Sequence, residues 1–217
     1  MKNFMPIKEK DFMIREFSFS DFSDLQKIAE QINLTALKKP GYFPFYAFQN
    51  KTVDNVDLPY KVMAFLQKAE REKNTHPRKT YRMALCKKNG HLIGNITFDM
   101  IPSFSSDGEK IYGDLGYFIH PDEGEKGLMT RALRAALPYY FSKFNQMDVT
   151  VHPQNMYSRR MIERLGGQCV GHIQQSGYSS EPRAVYVIHR DDFFQDSPTR
   201  IQRQKICLAM PTCQNQR

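Results

Sequence analysis

The sequence predicts one α/β domain whose sheet is mixed, mostly antiparallel and twisted, and is flanked by helices. A strand, a loop and a helix follow one another twice between Ile111 and Gly167, and the first loop contains two glycines. This order is typical of neighbouring parallel strands. An Asn89-Gly90 turn indicates an antiparallel hairpin before this segment, and two more strands are predicted after it. We expect the domain to cover residues 1–194 and a basic, flexible tail to cover 195–217.

The N-terminal elements are predicted from apolar spacing and helix-start signals. Met13–Phe17 is predicted to be a strand, and Ser20-Asp21 to begin a helix. The apolar stripe of that helix consists of Phe22, Leu25, Ile28 and Ala29. Residues 31–53 are predicted to be irregular, with two prolines among five aromatic rings. We expect most of these rings to pack on the core and one or two to face a substrate; they are Tyr42, Phe43, Phe45, Tyr46 and Phe48.

A second helix and a hairpin are predicted next. Asn55 or Asp57 can cap this helix, and Pro59 suits its first turn. Its buried stripe is predicted to be Val62, Phe65, Leu66 and Ala69, and the charged residues 68–79 are predicted to end it. Tyr81–Cys86 and Leu92–Met100 then form the two strands of the hairpin, and residues 101–110 are predicted to be a loop.

The segment that begins at Ile111 carries most of the functional information. Ile111–His120 is predicted to be a strand that Pro121 stops, because proline has no N–H for a ladder. Residues 122–128 form a polar loop with two glycines, and a helix with apolar residues at helical spacing follows from Met129. The first N–H groups of a helix have no internal partner, and the helix dipole favours an anion there. The arrangement therefore predicts a phosphate-binding loop.

A second, shorter unit repeats this order. Asp148–Val151 is predicted to be a strand, and Asn155 to open a helix that Gly166-Gly167 closes. Two adjacent parallel strands, each followed by a helix, leave a cleft in which a long thin ligand can lie. Residues 168–176 and 184–189 are predicted to be the last two strands.

Composition excludes several classes of protein. Hydrophobic residues make up 41% of the 217 residues, no apolar run could span a bilayer, and the N-terminus has no apolar signal region, so we expect a cytoplasmic protein. The four cysteines form no CxxC pair and the six histidines show no ligand spacing, which predicts free thiols and no metal. The net charge of +8 suits acidic partners such as phosphates, RNA or an acidic peptide, but no run of arginines and aromatics indicates a nucleic-acid module.

Several short motifs, in order, resemble the GNAT acetyltransferase superfamily, and more closely its branch that acetylates the N termini of ribosomal proteins. The matching residues are Leu115-Gly116-Tyr117-Phe118-Ile119-His120-Pro121, Lys126-Gly127-Leu128-Met129-Thr130, Ala132-Leu133, Val151, Pro153, Asn155, Ser158, Glu163, Leu165 and Gly166. The resemblance runs from about Phe12 to Phe194. It implies a GNAT-type fold, with the aromatic segment 42–48 in the wall of the acceptor site.

The resemblance also implies an activity. It implies that acetyl-CoA donates an acetyl group to a primary amine, by direct attack and without a covalent enzyme intermediate. No Gly-x-Ser-x-Gly elbow and no placed Cys–His pair is present, which agrees with that route. We expect the acceptor to be a protein or peptide N-terminus, and the basic charge leaves ribosome association open. A polyamine or small-amine acceptor, or a non-catalytic acyl-CoA-binding regulatory module, are the alternatives.

The resemblance assigns roles to individual residues. The residues expected to bind the donor are Phe118, Ile119, Gly124, Glu125, Lys126, Gly127, Leu128, Met129, Thr130, Asn155 and Ser158. Glu125 stands where the family usually has glycine, and Ile162 where many relatives have a tyrosine that protonates the thiolate.

Two further roles concern catalysis. Asp114 is the expected base, unless it is an ordinary strand-edge aspartate, and Ser158 the expected acid, unless it bonds only the first helical turn. A backbone N–H near Phe118 or Ile119 is expected to bind the oxyanion.

Overall fold

A computed structural model describes residues 6–39, 42, 57–105, 108–124, 126–142, 144–173 and 182–194. The strands in these ranges are β1 Ile7–Lys8, β2 Phe12–Glu16, β3 Thr80–Lys87, β4 Leu92–Ser105, β5 Gly108–Ile119, β6 Gln146–Val151, β7 Gln168–Ile173 and β8 Arg183–His189. The helices are α1 Phe22–Lys38, α2 Leu58–Asn74, α3 Leu128–Phe141, α4 Met156–Arg164 and α5 Arg190–Phe194. Within the described ranges, no helix is long and apolar enough to cross a membrane.

All eight described strands belong to one sheet, in the order β1-β2-β3-β4-β5-β6-β8-β7. Every neighbouring pair is antiparallel except β5 and β6, which run parallel. The parallel pair is the one that the two strand–loop–helix units predict. The structure therefore confirms the mixed, mostly antiparallel sheet flanked by helices.

Each face of the sheet carries its own hydrophobic core. Along β5, Leu115 packs into the core under α3 and α4, whereas Phe118 packs into the core under α1 and α2. Successive side chains of a strand point to opposite faces, so this difference assigns a face to every position on β5. Asp114 shares the α1/α2 face with Phe118.

The second helix is fixed to the sheet by a buried ion pair. The Arg82 guanidinium on β3 donates to both carboxylate oxygens of Glu72 on α2, with Nε–Oε2 at 2.9 Å and Nη2–Oε1 at 3.1 Å. The Arg82 side chain is 3% exposed and that of Glu72 is 14% exposed. A bidentate pair of this kind sets both the position and the rotation of α2 on its face.

The first helix is longer than predicted and extends into the region that was expected to be irregular. Residues 31–53 were expected to lack regular structure, but α1 continues to Lys38, and the remainder of that region except Lys39 and Tyr42 lies outside the described residues. No glycine or proline interrupts residues 31–39, and Ile32 extends the buried stripe. The helix ends just before Pro40, because proline disfavours helical backbone at the preceding residue.

The predicted loop at residues 101–110 is also wrong. The β4–β5 ladder continues from Met100–Gly113 to Ser105–Gly108, so residues 101–105 and 108–110 belong to the two strands, and residues 106–107 lie outside the described residues. The last β3 pair is Thr80–Asp99, and the Met100 N–H still donates to the Lys79 carbonyl at 2.8 Å, so the contacts of β4 on that side end before Pro102. Proline is tolerated on such an edge, where its missing N–H breaks no ladder, and Pro102 therefore does not end the strand.

The other elements agree with the sequence to within a few residues. The hairpin, the stripe of α2, the cap of α4 at Asn155 and the two last strands are confirmed, and α2 runs on to Asn74 through the charged residues expected to end it. Residues 174–181 and the predicted tail 195–217 lie outside the described residues. The domain boundary at 194 stays a prediction.

Candidate active site

The sheet opens between β5 and β6. The two strands pair only at Gly113–Met147 and Asp114–Asp148, and beyond these pairs they separate. The Tyr140 ring of α3 fills the space beside Gly113: a Cβ there would lie 1.8 Å from the Tyr140 hydroxyl. That hydroxyl also donates to the Gln146 carbonyl of β6 at 2.9 Å. The ring therefore ties the two strands together at the closed end of the opening.

One edge of β5 presents backbone donors to this opening. The His120 N–H donates to the Ile93 carbonyl of β4 at 2.7 Å. Backbone groups alternate between the two edges of a strand, so the N–H of Phe118 also points to β4 and those of Tyr117 and Ile119 point to the opening. Of the two expected oxyanion donors, the geometry favours Ile119 over Phe118. The Phe118 side chain is buried in the α1/α2 core.

The glycine loop leads directly into the first turn of α3. Pro121–Glu123 form one 3-10 turn, and Gly127 stands at the N-cap of α3 with φ +70°. A glycine cap has no side-chain oxygen, and α3 has no side-chain cap hydrogen bond. The side chains of Leu128 and Met129 are buried in the core, so these residues offer a ligand their backbone N–H groups. Glu125 lies outside the described residues.

Charged side chains hold this loop against the end of β3. Lys87 lies 2.5 Å from Glu123, and Lys126 lies 3.4 Å from the same carboxylate. The hydrogen bond from Lys87, then that from Lys126, holds the pKa of Glu123 below its ordinary value. Part of the positive charge that Lys126 would offer a phosphate is therefore balanced by Glu123.

Asp114 lies at the point where the strands separate, in a row of three carboxylates. Its register partners are Asp99 on β4 and Asp148 on β6, and register partners share a face of the sheet. Burial, then the negative charges of Asp99 and Asp148, raises the pKa of Asp114 to about 6. The Leu115 N–H and the Arg183 charge oppose that rise in part. A carboxylate with this pKa can accept a proton near neutral pH.

Ser158 faces the opening from the first turn of α4. Its N–H donates to the Asn155 Oδ1 at 3.1 Å, so Asn155 is the helix cap that the sequence allowed. The Ser158 side chain also forms a hydrogen bond with Tyr117 of β5. Burial raises the pKa of the Tyr117 hydroxyl, while this hydrogen bond and the Arg183 charge lower it in part. The pair of hydroxyls thus spans the opening.

Ile162 is a core residue. Its side chain is fully buried, and a Cβ on Gly167 would lie 2.4 Å from the Ile162 Cγ2. The side chain at this position therefore faces the helix C-terminus and the core. A proton for a leaving group has to come from elsewhere, and among the described residues Ser158 and Tyr117 are two that place hydroxyls in the opening.

Sequence reasoning missed four residues of this site. Asp99 and Asp148 join Asp114 only through strand register, and Arg183 joins it only because β8 lies beside β6. No local motif marks these three. Tyr117 lies within the run of residues that carries the family resemblance, but the resemblance did not assign it a function.

Two further expectations concern aromatic rings and metals. Tyr42 packs against the α1/α2 core, and burial raises its pKa to about 12, while the other four rings of its segment lie outside the described residues. Within the described ranges, no group of three or more His, Cys, Asp or Glu residues could hold a metal ion.

Known proteins with similar sequences and structures are acetyltransferases. The family described as "Acetyltransferase (GNAT) domain" matches residues 12–168. The chain is 25% identical over 167 residues to the "Uncharacterized N-acetyltransferase YnaD" of Bacillus subtilis (strain 168), an alignment that covers 75% of this chain and 82% of YnaD. It is 27% identical over 84 residues to the "Probable N-acetyltransferase YjcK" of the same strain, covering 36% of this chain and less than half, 46%, of YjcK.

A solved structure has a similar fold. It is that of RimL, described as a ribosomal L7/L12 alpha-N-protein acetyltransferase in complex with coenzyme A. The TM-score is 0.62 at 15% identity, and the match covers 87% of this chain and 99% of RimL. At this identity the comparison establishes a shared fold.

Proposed function

The chain belongs to the GNAT acetyltransferase family, and on that premise we propose that it transfers the acetyl group of acetyl-CoA to the α-amino group of a protein or peptide. The observation that carries the proposal is the opening between β5 and β6, with Asp114 at its closed end. The glycine cap of α3 lies at the end of the loop that follows β5. A phosphate-bearing donor suits that cap, because uncapped N–H groups and the helix dipole both favour an anion.

The residues of the opening match the needs of acetyl transfer. Asp114 takes a proton from the ammonium form of the acceptor, and the neutral amine attacks the thioester carbon. The Ile119 N–H stabilises the oxyanion that forms. The C–N bond is then complete, the C–S bond breaks, and the Ser158 hydroxyl, bonded to Tyr117, gives a proton to the thiolate. The nitrogen loses its second proton, which returns to Ser158 through water, so the products are a neutral amide and a free thiol. These roles are part of the proposal.

Proton affinity favours an α-amino group as acceptor. An α-amino group titrates near ~8 and a lysine side chain near ~10.4. The pKa of Asp114 is about 6, so it lies closer to that of an α-amine than to that of a lysine. A fold shared with an α-N-protein acetyltransferase supports the same acceptor. A cytoplasmic location stays a prediction, and ribosome association rests on the net charge of +8 alone.

One observation favours a second candidate acceptor. Asp99, Asp114 and Asp148 bring three carboxylates together on one face of the sheet. Several negative charges also suit a polyamine, which carries several positive charges. A polyamine is therefore the second candidate.

The test is turnover with a panel of acceptors. Purified protein and acetyl-CoA are incubated with peptides that have free N termini, with the same peptides blocked at the N-terminus but containing lysine, and with spermidine. Released coenzyme A is measured, and tandem mass spectrometry locates the acetyl group. We expect acetylation of the free α-amine. Acetylation confined to lysine or to spermidine would contradict the proposal.

A further inference from the structure

Arg183 brings a positive charge to the face of the sheet that holds the three aspartates. It is the first residue of β8, and the alternate residues Ala184, Tyr186 and Ile188 pack into the core on the opposite face. Side chains alternate along a strand, so Arg183 shares its face with Asp148 and Thr150 of the neighbouring strand β6. Its Nη2 donates to the Thr150 carbonyl at 3.2 Å, which holds the guanidinium beside β6.

The charge of this guanidinium acts across the opening on two residues of β5. Its charge lowers the pKa of Asp114 and that of Tyr117, so it acts on the expected base and on the residue bonded to Ser158. The Arg183 side chain is partly buried, which limits screening by solvent. An arginine keeps its charge at any ordinary pH.

A fixed cation is unfavourable in a site that has to bind only an ammonium group. It repels the protonated acceptor and weakens the attraction that the carboxylates supply. The same cation is favourable when the acceptor carries an oxygen close to its amine, because a guanidinium donates strong, directed hydrogen bonds to a carbonyl or carboxylate oxygen. An α-amino acyl group has that arrangement, with a carbonyl on the carbon next to the amine. A polyamine does not.

We propose that Arg183 binds the carbonyl oxygen of the first residue of the acceptor, and so selects an amine that has a carbonyl on the adjacent carbon. This inference rests on the proposed function, since it names the part of the acceptor that the same site reads. The three carboxylates bind the positively charged ammonium group, and the arginine binds the neighbouring carbonyl oxygen, which carries partial negative charge. The charges of the site therefore complement both groups of the acceptor.

The experiment compares two acceptors of nearly equal shape. Alaninamide has a carbonyl group on the carbon next to the amine-bearing carbon, and sec-butylamine has a methylene group in place of that carbonyl. Steady-state kinetics at saturating acetyl-CoA are measured for the natural protein, Arg183→Met and Arg183→Lys. Methionine keeps much of the side-chain length without charge, and lysine keeps the charge without the planar fork. Comparing each variant with the natural protein on one acceptor cancels the different pKa values of the two amines.

We expect Arg183→Met to lower the ratio of kcat/KM for alaninamide to kcat/KM for sec-butylamine by roughly ten-fold to a hundred-fold, the range of a lost hydrogen bond to a charged group. Loss of the charge also changes Asp114 and Tyr117, but that effect is common to the two acceptors and cancels in the ratio. The preference of Arg183→Lys for alaninamide over sec-butylamine should lie between that of the natural protein and that of Arg183→Met. An equal loss with both acceptors would mean that Arg183 acts on the oxyanion or on folding, and would overturn the inference.

Three more acceptors, which are alanyl peptides, spermidine and free alanine, separate this inference from the proposed function. If alanyl peptides are acetylated but Arg183→Met keeps the natural preference for alaninamide, only the inference about Arg183 fails. If the natural protein acetylates spermidine and no peptide, both fail. If it prefers free alanine, whose carboxylate offers the same oxygen, and Arg183→Met removes that preference, Arg183 keeps its role and the acceptor is an amino acid.

Discussion

At the scale of single residues, Asp114 combines a function with a cost to stability. Its pKa rises from 3.8 in a free carboxyl group to about 6 in the folded protein. A raised acid pKa means that ionisation opposes folding: the cost is absent below about pH 4 and complete above about pH 6. The shift corresponds to a cost of about 3 kcal/mol in the free energy of unfolding.

Asp114→Asn should therefore change stability and activity in opposite directions. Asparagine does not ionise, so the variant should be more stable than the natural protein at pH 8, by up to about 3 kcal/mol, and show no such gain at pH 4. Urea unfolding at the two pH values measures this. Acetyl transfer at pH 7 should fall by ~10²–10⁴, and less above the pKa of the amine. An unchanged pH–rate profile in the folded variant would remove Asp114 from the mechanism.

Glu125 breaks the family pattern inside the glycine loop. A carboxylate near the pyrophosphate of acetyl-CoA would repel it by an amount on the order of 1 kcal/mol or less after screening. Glu125→Gln removes the charge and should tighten acetyl-CoA binding several-fold in calorimetry at low salt. Asp122→Asn is the matched control, since that side chain is 78% exposed in the same loop, and it should change affinity less. Equal affinity of Glu125→Gln and the natural protein would mean that the side chain points away from the phosphates.

At the scale of elements, two glycines allow strain and ligand binding to be separated. Gly127 at the start of α3 has φ +70°, and Gly90 in the β3–β4 turn has φ +90°. A Cβ on either would meet nothing within 4 Å, so alanine adds backbone strain and no clash. Each alanine variant should lose about 1–2 kcal/mol of unfolding free energy.

Acetyl-CoA affinity should distinguish the two variants. Gly127→Ala disturbs the N–H groups of the first turn of α3, so its affinity should fall, whereas Gly90→Ala should bind as the natural protein does. Calorimetric titration of both variants measures this. If affinity falls equally in the two variants, or if it falls in neither, the placement of the donor at α3 is contradicted.

The buried ion pair between α2 and β3 gives another matched comparison. Glu72→Gln leaves Arg82 without its buried counter-charge and should cost about 3–5 kcal/mol in unfolding free energy. Glu70→Gln, on the same helix, removes a surface ion pair with Lys73, while the amide oxygen can still accept from Asn74, so it should cost less than about 0.5 kcal/mol. Chemical denaturation of the two variants tests the difference. Similar costs would show that Glu72 does not hold α2.

The helices were easier to predict from the sequence than the ends of the elements. Periodic stripes and caps predicted α1, α2, α3 and α4, because each of these signals lies within one element. The end of α1 and the long β4–β5 ladder were missed for a different reason. Proline usually breaks a strand, and Pro102 is acceptable because the contacts of β4 with the β3 side end at Met100. That information is tertiary.

At the scale of the whole molecule, the candidate site lies where the sheet separates into two parts. Local motifs predicted the glycine loop and the helix cap at Asn155, which are contiguous in sequence. The row of Asp99, Asp114 and Asp148 comes from three strands, and Arg183 from a fourth. Strand register brings them together, so residue spacing could not reveal them. We expect this opening, together with the start of α3, to hold the donor.

Hydrogen exchange with and without acetyl-CoA tests this placement of the donor, because it reports on the individual backbone segments that a ligand covers. We expect saturating acetyl-CoA to slow exchange in three segments: 115–120 at the end of β5, 126–131 at the start of α3, and 152–158 before and within the first turn of α4. Exchange in the β3–β4 turn around Gly90 should not change. Protection confined to other parts of the chain, or no protection at a saturating concentration, would contradict the account.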